Sequence, residues 1–374
     1  MKQQVDIGVI YSRSGGYELM SNACRSGALA AIIDINNDPR RDIKLRAVER
    51  DPEGNVDRYA SMCEDILRTS SARHVIGCIT SWSRKEVIPV LEKLGATLWY
   101  ACPYEGFEAN DRVVYTHACP NQHLVPLLNW VMQRKGIDGY LIGSNYIWGW
   151  EMNRVAREII ADSGGKTLGE RYLPLGDTDV SRMIAEIRAT RPSFVLNNLI
   201  GPSSYAFLAA YARLAKDDPY FAPESCPVLS CNLTECELPV LNGVADNHLA
   251  VGPFFRKPAQ DLGWPKAGEH ACSSSYEASA YMSVCVLADV LSGASGSDNL
   301  DLPVAFADRT FHTPCGPVKI DPRTYHATLP VIIAKVSGHD FEMLDASLAV
   351  APDPYLSRHD QHAVFKRPNL RVVS

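Results

Sequence analysis

The sequence reads GCITSWSRK at residues 77–85 and YACPYEGFE at residues 100–108. Each of these runs continues an apolar segment into small polar or aromatic residues. In an open α/β sheet, ligands sit just beyond the carboxyl ends of the strands, so strands that end in this way can form a small-molecule pocket. The two runs therefore predict a binding site at strand ends.

Short apolar runs alternate with segments of helical period along most of the chain. In the first part we predict strands at 5–12, 43–50, 75–80 and 96–101 and helices at 17–37, 56–70 and 83–94. A second series follows, with helices at 122–135, 148–163, 180–190 and 203–215 and strands at 139–143, 168–173, 193–199, 228–231 and 249–252. Strands that alternate with helices of this length predict a doubly wound parallel sheet with right-handed crossovers.

The last part of the chain has a different character. We predict a long apolar helix at 276–292, a hairpin-like pair of strands at 311–321, a final strand at 329–336 and an irregular tail over 344–374. A chain that completes two βα series and then returns with extra pieces cannot be a simple tandem. We therefore expect lobes that are assembled from discontinuous segments.

Composition and charge set the outer limits of function. The 374 residues, 46% of them hydrophobic, exceed what one core usually organises, so two lobes are expected. The net charge of −6 argues against direct nucleic-acid binding, which needs a basic patch. No stretch approaches the ~18 continuous apolar residues of a membrane span, and residues 1–10 do not resemble a secretory signal. We expect no membrane insertion and a cytoplasmic location, or a periplasmic one if a signal peptide has been removed.

The 11 cysteines are scattered mostly through apolar runs, where cysteine usually acts as a small buried hydrophobe in a reducing compartment. Cys226, Cys231 and Cys236 are spaced by five residues, which matches no common zinc pattern. We therefore expect no metal and no cofactor. The sequence also lacks a nucleophile elbow, a Walker loop and a His-Glu-x-x-His motif, so we expect a protein that is not an enzyme.

Several motifs together resemble a known family. They are SRSGG at 12–16, GCITSWSRK at 77–85, PYEGFE at 103–108, ACPNQ at 118–122, GSNYIW at 143–148 and GPV at 316–318. Their order resembles the type I periplasmic-binding-protein fold. Within that fold the chain looks most like the amide-sensing negative regulator of the bacterial amidase operon, the AmiC type, with urea and short-chain-amide transport receptors as relatives.

The resemblance implies an α/β protein with two Rossmann-like lobes, joined by three crossover strands and closing on one small ligand. By analogy the crossings lie near 119–122, 250–254 and 325–329. Lobe one would then combine 1–121 with 253–326, and lobe two would combine 122–252 with 327–374.

Thr80 and Ser81 follow an apolar strand and precede a helix. Ser83, with Glu86 three residues later, has the pattern of a capping box, so Ser83 is expected to cap that helix. A helix N-terminus offers free N–H groups, and a hydroxyl there can help to hold a ligand oxygen. The resemblance assigns this role to Ser81, for the oxygen of an amide.

The same resemblance places Tyr100, Cys102 and Pro103 in the pocket wall, at the end of the next strand. The family has a threonine where Cys102 stands, and a thiol is a weaker donor and acceptor than a hydroxyl. It has a tyrosine in place of Ile79, so a second polar group is lost. Cys102 could instead be a nucleophile, but the sequence places no histidine beside it, and the pocket wall is the favoured interpretation.

Lobe two would contribute Tyr146, Trp148 and Asn232. Tyr146 and Trp148 stand two residues apart, so both can face the cleft only if the chain is still extended there; the alternative is aromatic packing against the hinge. Asn232 could donate to and accept from an amide ligand, or it could simply be a turn or cap residue.

These observations leave two classes of function open. One is a cytoplasmic sensor that binds a small amide and controls an RNA-binding antiterminator protein. The other is the solute-binding subunit of an importer for urea, short-chain amides or branched-chain amino acids. A hydrolase that works through Cys102 is a remote third. A homo-oligomer is possible in each case, because the sequence does not fix the oligomeric state.

Overall fold

The computed structural model describes residues 2–264, 272–293, 300–313 and 316–357. They form two α/β lobes, each built around its own sheet. The strands of lobe one are all parallel, in the order β2-β1-β3-β4-β5. They are β1 (Gln3–Ile10), β2 (Ile43–Arg50), β3 (His74–Gly77), β4 (Thr97–Tyr100) and β5 (Val113–Tyr115). The helices between them are α1 (Glu18–Asn37), α2 (Arg58–Thr69) and α3 (Ser81–Leu94).

The second sheet is larger and mixed. Its strands are β6 (Gly139–Ser144), β7 (Thr167–Leu173), β8 (Phe194–Asn198), β9 (Val228–Ser230), β10 (Leu249–Gly252), β11 (Phe311–Thr313), β12 (Gly316–Ile320), β13 (Ala327–Ser337) and β14 (Asp340–Val350). They are ordered β11-β12-β13-β10-β9-β8-β6-β7, and β14 pairs with β13. The parallel part, β6 to β10, is the second βα series that the alternation predicts, whereas β11 to β14 pair antiparallel.

The remaining helices belong to the second βα series and to the part of the chain that comes after it. They are α4 (Leu124–Lys135), α5 (Ile147–Asp162), α6 (Ser181–Thr190), α7 (Pro202–Asp217), α8 (Leu238–Leu241), α9 (Arg256–Asp261), α10 (Ser275–Gly293) and α11 (Leu302–Phe306). Short 3-10 turns occur at Pro120–Gln122 and Pro219–Phe221. No helix in the described ranges has the length and hydropathy that crossing a membrane requires.

Helix α10 returns from lobe two to pack directly on α1. A Cβ added to Gly27 would lie 2.1 Å from the carbonyl oxygen of Glu277, so only glycine permits this approach of the two helices. The Ser26 hydroxyl donates to Glu277 over 2.8 Å, and the Tyr281 hydroxyl donates to Asp34 over 2.7 Å. Lobe one is therefore discontinuous in sequence, as expected from the pattern of elements.

The segment of the chain before α4 lies beside the segment that enters β13. The backbone N–H of Tyr115 donates to the carbonyl of Tyr325 over 2.8 Å. The side-chain amide of Gln122 donates to the carbonyls of Ala327 and Val350 over 2.9 and 2.8 Å. These bonds bring the end of the first βα series and the start of β13 together at one boundary.

The end of β3 and the predicted tail differ most clearly from the prediction. Strand β3 ends at Gly77, three residues early, because Cys78 has a φ of +66° and cannot continue a strand. The predicted irregular tail begins instead as strand β14, which pairs with β13 and is mostly exposed. Residues 358–374 of that predicted tail lie outside the described residues.

Candidate functional site

Helix α3 begins at Ser81, not at Ser83. The Thr80 hydroxyl accepts the backbone N–H of Ser83, and the Ser83 hydroxyl accepts the backbone N–H of Thr80, each over 3.1 Å. The capping box is therefore Thr80 with Ser83, and the predicted pairing of Ser83 with Glu86 is wrong. The reason is the early end of β3, which lets Thr80 take the extended cap position with φ −97° and ψ 154°. Ser81 thus supplies the first N–H of the helix, which has no partner within the helix.

A buried ionic network lies behind Ser81. Arg84 is completely buried and donates to Glu105 over 2.9 Å and to Glu108 over 2.8 Å. Lys85 pairs with Glu108 over 2.6 Å, and the Ser81 hydroxyl donates to the Glu105 carboxylate. Burial alone would raise the pKa of Glu108, but Arg84 and Lys85 lower it to about 2. Two cations thus balance two carboxylates, as buried charges require.

The sequence analysis did not assign Arg84, Glu105 or Glu108 to the site. The signal was present, because Arg84-Lys85 and the two glutamates both occur in the quoted runs. The pairing joins residues more than twenty positions apart, and local sequence patterns do not report such contacts. One nitrogen of the Arg84 guanidinium group, Nη1, has no hydrogen-bond partner among the described residues.

Tyr100, Cys102 and Pro103 are all buried at the end of β4. The Tyr100 hydroxyl donates to the carbonyl of Ile79 over 2.9 Å. The Cys102 sulfur lies 3.9 Å from that of Cys24 and 3.5 Å from the carbonyl oxygen of Cys78. Burial, and to a smaller extent the hydrogen bond to Cys24, raises the pKa of the Cys102 thiol. The thiolate that a nucleophile requires is therefore disfavoured.

Tyr146 reaches from lobe two towards lobe one. It is the extended residue before α5, with φ −157° and ψ 178°, and only 4% of it is exposed. Burial raises the pKa of its hydroxyl, and the Glu105 carboxylate and Tyr17 of lobe one raise it further. Tyr146 therefore lies within electrostatic range of lobe one.

Trp148 does not share the extended conformation of Tyr146, because α5 already begins at Ile147. Its ring makes an edge contact with the ring of His123, with 6.0 Å between centroids. Its indole N–H is buried and has no hydrogen-bond partner among the described residues. This is the aromatic packing that the sequence analysis left open as an alternative.

Asn232 lies in the turn after β9 and is buried. Its side-chain oxygen accepts the Ser230 hydroxyl over 3.0 Å, and its backbone N–H donates to the same hydroxyl over 3.2 Å. The hydroxyl of Tyr276, at the start of α10, donates to the carbonyl of Asn232 over 3.3 Å. Asn232 therefore has the contacts of a turn residue, and it also links the loop of lobe two to α10.

The loop after β9 also holds two buried carboxyl groups. The Glu237 carboxylate accepts the Tyr205 hydroxyl over 3.0 Å, and that of Glu235 accepts the backbone N–H of Arg256 over 2.6 Å. The second oxygen of each has no hydrogen-bond partner among the described residues. Burial raises the pKa of Glu235 to about 8 and that of Glu237 to about 7.

A cleft of about 250 Å³ opens between the lobes beside the start of α3. None of its lining residues is charged. Lobe one contributes Gly16, Tyr17, Gly54, Val56, Thr80 and Trp82, and lobe two contributes Leu175, Gly176, Ile200 and Pro202.

The lobes touch on both sides of this cleft. Gly201 has a φ of +58°, and a Cβ added to it would lie 1.8 Å from the carbonyl oxygen of Gly16. Only a glycine permits this approach of the two backbones. On the other side, the Arg154 guanidinium of α5 lies 4.7 Å from the ring centre of Phe107.

No group of three or more His, Cys, Asp or Glu side chains in the described part of the chain could hold a metal ion. The buried hydroxyls, thiols and ion pairs at the lobe boundary are suited to hold a small organic molecule by hydrogen bonds and apolar contact. Such concave sites between lobes are where small ligands usually bind.

Comparison with known proteins points in the same direction. A family model described as the periplasmic binding protein domain matches residues 5–361. The Leu/Ile/Val-binding protein homolog 6 of Brucella abortus is 24% identical over 355 residues, covering 90% of this chain and 88% of its own. A solute binding protein of an ABC transporter from Rhodopseudomonas palustris HaA2, solved with p-hydroxybenzoic acid, has a TM-score of 0.80 at 19% identity, covering 93% of this chain and 98% of its own. The branched-chain amino acid binding protein LivJ of Streptococcus pneumoniae, solved with isoleucine, has a TM-score of 0.74 at 16% identity, covering 93% and 99%.

Proposed function

Because this chain belongs to the periplasmic binding protein domain family, we propose that it is the solute-binding component of an ABC importer. Its two lobes would close on one small ligand beside the start of α3. The observation that carries this proposal is the cleft of about 250 Å³ beside the start of α3, which residues of both lobes line. A ligand that contacts both lobes stabilises the closed form, and that difference drives docking on a partner.

The importer is favoured over the amide-sensing regulator of the amidase operon. The relatives and solved structures described above are named as binding proteins or as components of transporters. The regulator would use the same cleft, but its antiterminator partner has no counterpart among these relatives. The solute-binding component of an importer would act in the periplasm, so we propose a periplasmic location in place of the cytoplasmic one expected from the sequence.

We place the lobe boundaries at 1–121 plus 253–326 and at 122–252 plus 327–374. The packing of α10 on α1 supports the assignment of the return segment to lobe one. The pairing of β13 with β10 supports the assignment of the last segment to lobe two.

Two hydroxyls on lobe one already use their protons in hydrogen bonds within the protein, and this favours a neutral ligand that brings N–H donors. The Ser81 hydroxyl donates its proton to Glu105, and the Tyr100 hydroxyl donates its own to the carbonyl of Ile79. Both oxygens can then only accept a further hydrogen bond. The first N–H of α3 can donate to a carbonyl oxygen. An amide or urea group matches this combination, whereas a carboxylate supplies acceptors alone. Of the residues expected from the sequence, Thr80 lines this cleft. The other seven are buried and do not line it, so their contact with a ligand stays a prediction; they are Ser81, Tyr100, Cys102, Pro103, Tyr146, Trp148 and Asn232.

Matched ligand pairs test this proposal. Acetamide with acetate, and propionamide with propionate, differ mainly in charge and in N–H donors. A ligand at 100 times its Kd adds about 2.7 kcal/mol to the free energy of unfolding, which raises the Tm by a few degrees. We expect such a rise for the amides and for urea, and none for the acids. A rise only with L-leucine or 4-hydroxybenzoate would reject the amide class and keep the importer.

A further inference from the structure

The cleft between the lobes has an inner and an outer part. Thr80, Tyr17 and Ile200 line its inner part and are 3%, 7% and 9% exposed. Trp82 and Leu175 lie at its mouth on opposite lobes and are 44% and 42% exposed. The outer part therefore has a large apolar side chain on each side.

Helix geometry separates the side chain of Trp82 from that of Ser81. Neighbouring residues of a helix point in directions about 100° apart, so they do not share a surface. The Ser81 side chain is turned inwards to Glu105, and Trp82 lines the cleft. A ligand whose polar head lies at Thr80, the residue at the start of α3 that lines the cleft, would thus meet the indole of Trp82 as soon as it extends towards solvent.

The size and the lining of the cleft indicate what extends there. An apolar cavity of about 150 Å³ can hold benzene, so the 250 Å³ present here can hold a phenyl ring and part of a head group. Acetamide or urea alone would leave most of this volume unfilled. Because no charged residue lines the cleft, a charged extension would lose its hydration without gaining a partner.

We propose that the outer cleft, between Trp82 and Leu175, is a subsite for an uncharged apolar extension of the ligand, preferentially an aromatic ring. The proposal rests on the amide head group of the proposed function and adds the chemistry of its tail. The ring would stack on or pack against the indole of Trp82 and would be covered by Leu175 when the lobes close. Offset or edge contacts between aromatic rings supply binding free energy beyond the area that they bury.

Benzamide and acetamide test the subsite, because they share a head group and differ in the ring. Calorimetric titration of the full protein should give a lower Kd for benzamide than for acetamide. Trp82→Ala should weaken benzamide about tenfold, equivalent to about 1.4 kcal/mol, and acetamide much less. Trp82→Phe should restore most of the benzamide affinity. Trp150→Ala is the matched control, because Trp150 is 48% exposed, bonds to Asn145 and does not line the cleft.

The outcomes separate the subsite from the head group. If acetamide binds and benzamide binds no more tightly, the subsite is rejected and the amide receptor stands. Equal losses for both ligands in Trp82→Ala would also reject it, since the indole would then support the whole site. Tighter binding of 4-carboxybenzamide than of benzamide would reject an uncharged subsite. If the wild-type protein binds neither amide, the head group fails, and the subsite fails with it.

Discussion

At the scale of single residues, the direction of hydrogen bonds defines the candidate site. Ser81 and Tyr100 each donate to a fixed acceptor of lobe one, and Tyr146 approaches them from lobe two. The charge behind them is neutralised by the pairing of Arg84 with Glu105 and its neighbours. In the proposed site, ligands would be selected by the placement of hydrogen-bond donors and acceptors, because the buried charges are paired with one another.

Ser81→Ala and Tyr146→Phe should each weaken acetamide binding by about tenfold, because each removes one hydroxyl from a buried site. Tyr146→Phe keeps the buried ring and should change the Tm without ligand little, whereas Ser81→Ala also removes a hydrogen bond to the buried Glu105 carboxylate and should lower the Tm by a few degrees. Titration calorimetry measures the affinity and thermal unfolding the stability. Ser61→Ala is the control, because Ser61 is an exposed serine of α2. Normal binding by both site variants would show that the head group lies elsewhere.

Arg84→Met should lower the free energy of unfolding by about 3–5 kcal/mol, because it leaves Glu105 buried without its cation. The double variant with Glu105→Gln should recover part of this loss. Urea denaturation with a constant m-value measures both. Arg68→Met, which breaks an exposed pair with Glu64, should cost less than about 1 kcal/mol. If Arg84→Met lowers the free energy of unfolding no more than Arg68→Met does, the buried network is not tightly coupled.

At the scale of elements, hydrophobic pattern predicted which segments are strands and helices but not where they end. The alternation of apolar runs with helical segments identified β1 to β4, β6 to β10 and most of the helices between them, but it missed β5, which has only three residues. It could not show that Cys78 takes a positive φ, which ends β3 early and moves the helix cap to Thr80. Strand β14 was missed because it is mostly exposed and so lacks a continuous apolar face.

The residues of the candidate site were also predicted only in part. Ser81, Tyr100 and Tyr146 were predicted from their places at strand ends and from a family resemblance; the structure buries all three, and their contact with a ligand stays a prediction. Glu105 was not predicted, because its role depends on Arg84, which is distant in sequence. Trp148 was expected on the extended chain, but the earlier start of α5 turns it onto His123.

The loop between β9 and α8 should make stability depend on pH. The pKa values of Glu235 and Glu237 are raised by burial from 4.5 to about 8 and about 7. Their protonated forms therefore stabilise the fold fully below pH 4.5, and this contribution is lost as the pH rises through 7 and 8. Each group should contribute a slope of up to about 1.4 kcal/mol per pH unit.

The comparison of Glu237→Gln with the wild type isolates this effect. Buried histidines such as His117, whose pKa is lowered by burial to about 3, act in the opposite direction below pH 6.5 and cancel in the difference. Urea unfolding between pH 5 and 8 should show a flatter profile for the variant. Parallel profiles for the two proteins would mean that Glu237 is charged throughout.

At the scale of the whole molecule, the contact of Gly16 with Gly201 limits how far the lobes can close. Gly201→Ala would place a Cβ 1.8 Å from the Gly16 carbonyl oxygen, so the closed form could not be reached. We expect ligand affinity to fall at least about tenfold. In small-angle scattering, the liganded variant should keep a larger radius of gyration than the liganded wild type.

Gly164→Ala controls for backbone strain in this experiment. Gly164 also has a positive φ, +78°, but an added Cβ there would have no neighbour within 4 Å. The ligand affinity of Gly164→Ala should match that of the wild type, even if its free energy of unfolding falls by about 1 kcal/mol. If both variants bind equally well, the lobes do not need the Gly16–Gly201 contact in order to close.

The packing of α10 on α1 also sets the order in which the chain can fold during synthesis. Gly27 and Ser26 of α1 contact Glu277, so the interior of lobe one stays open until about 250 further residues have been made. The N-terminal region alone therefore cannot reach its final fold on the ribosome. With the export that the proposed function implies, this delay would keep the nascent polypeptide competent for translocation, and lobe one would be completed in the compartment of arrival.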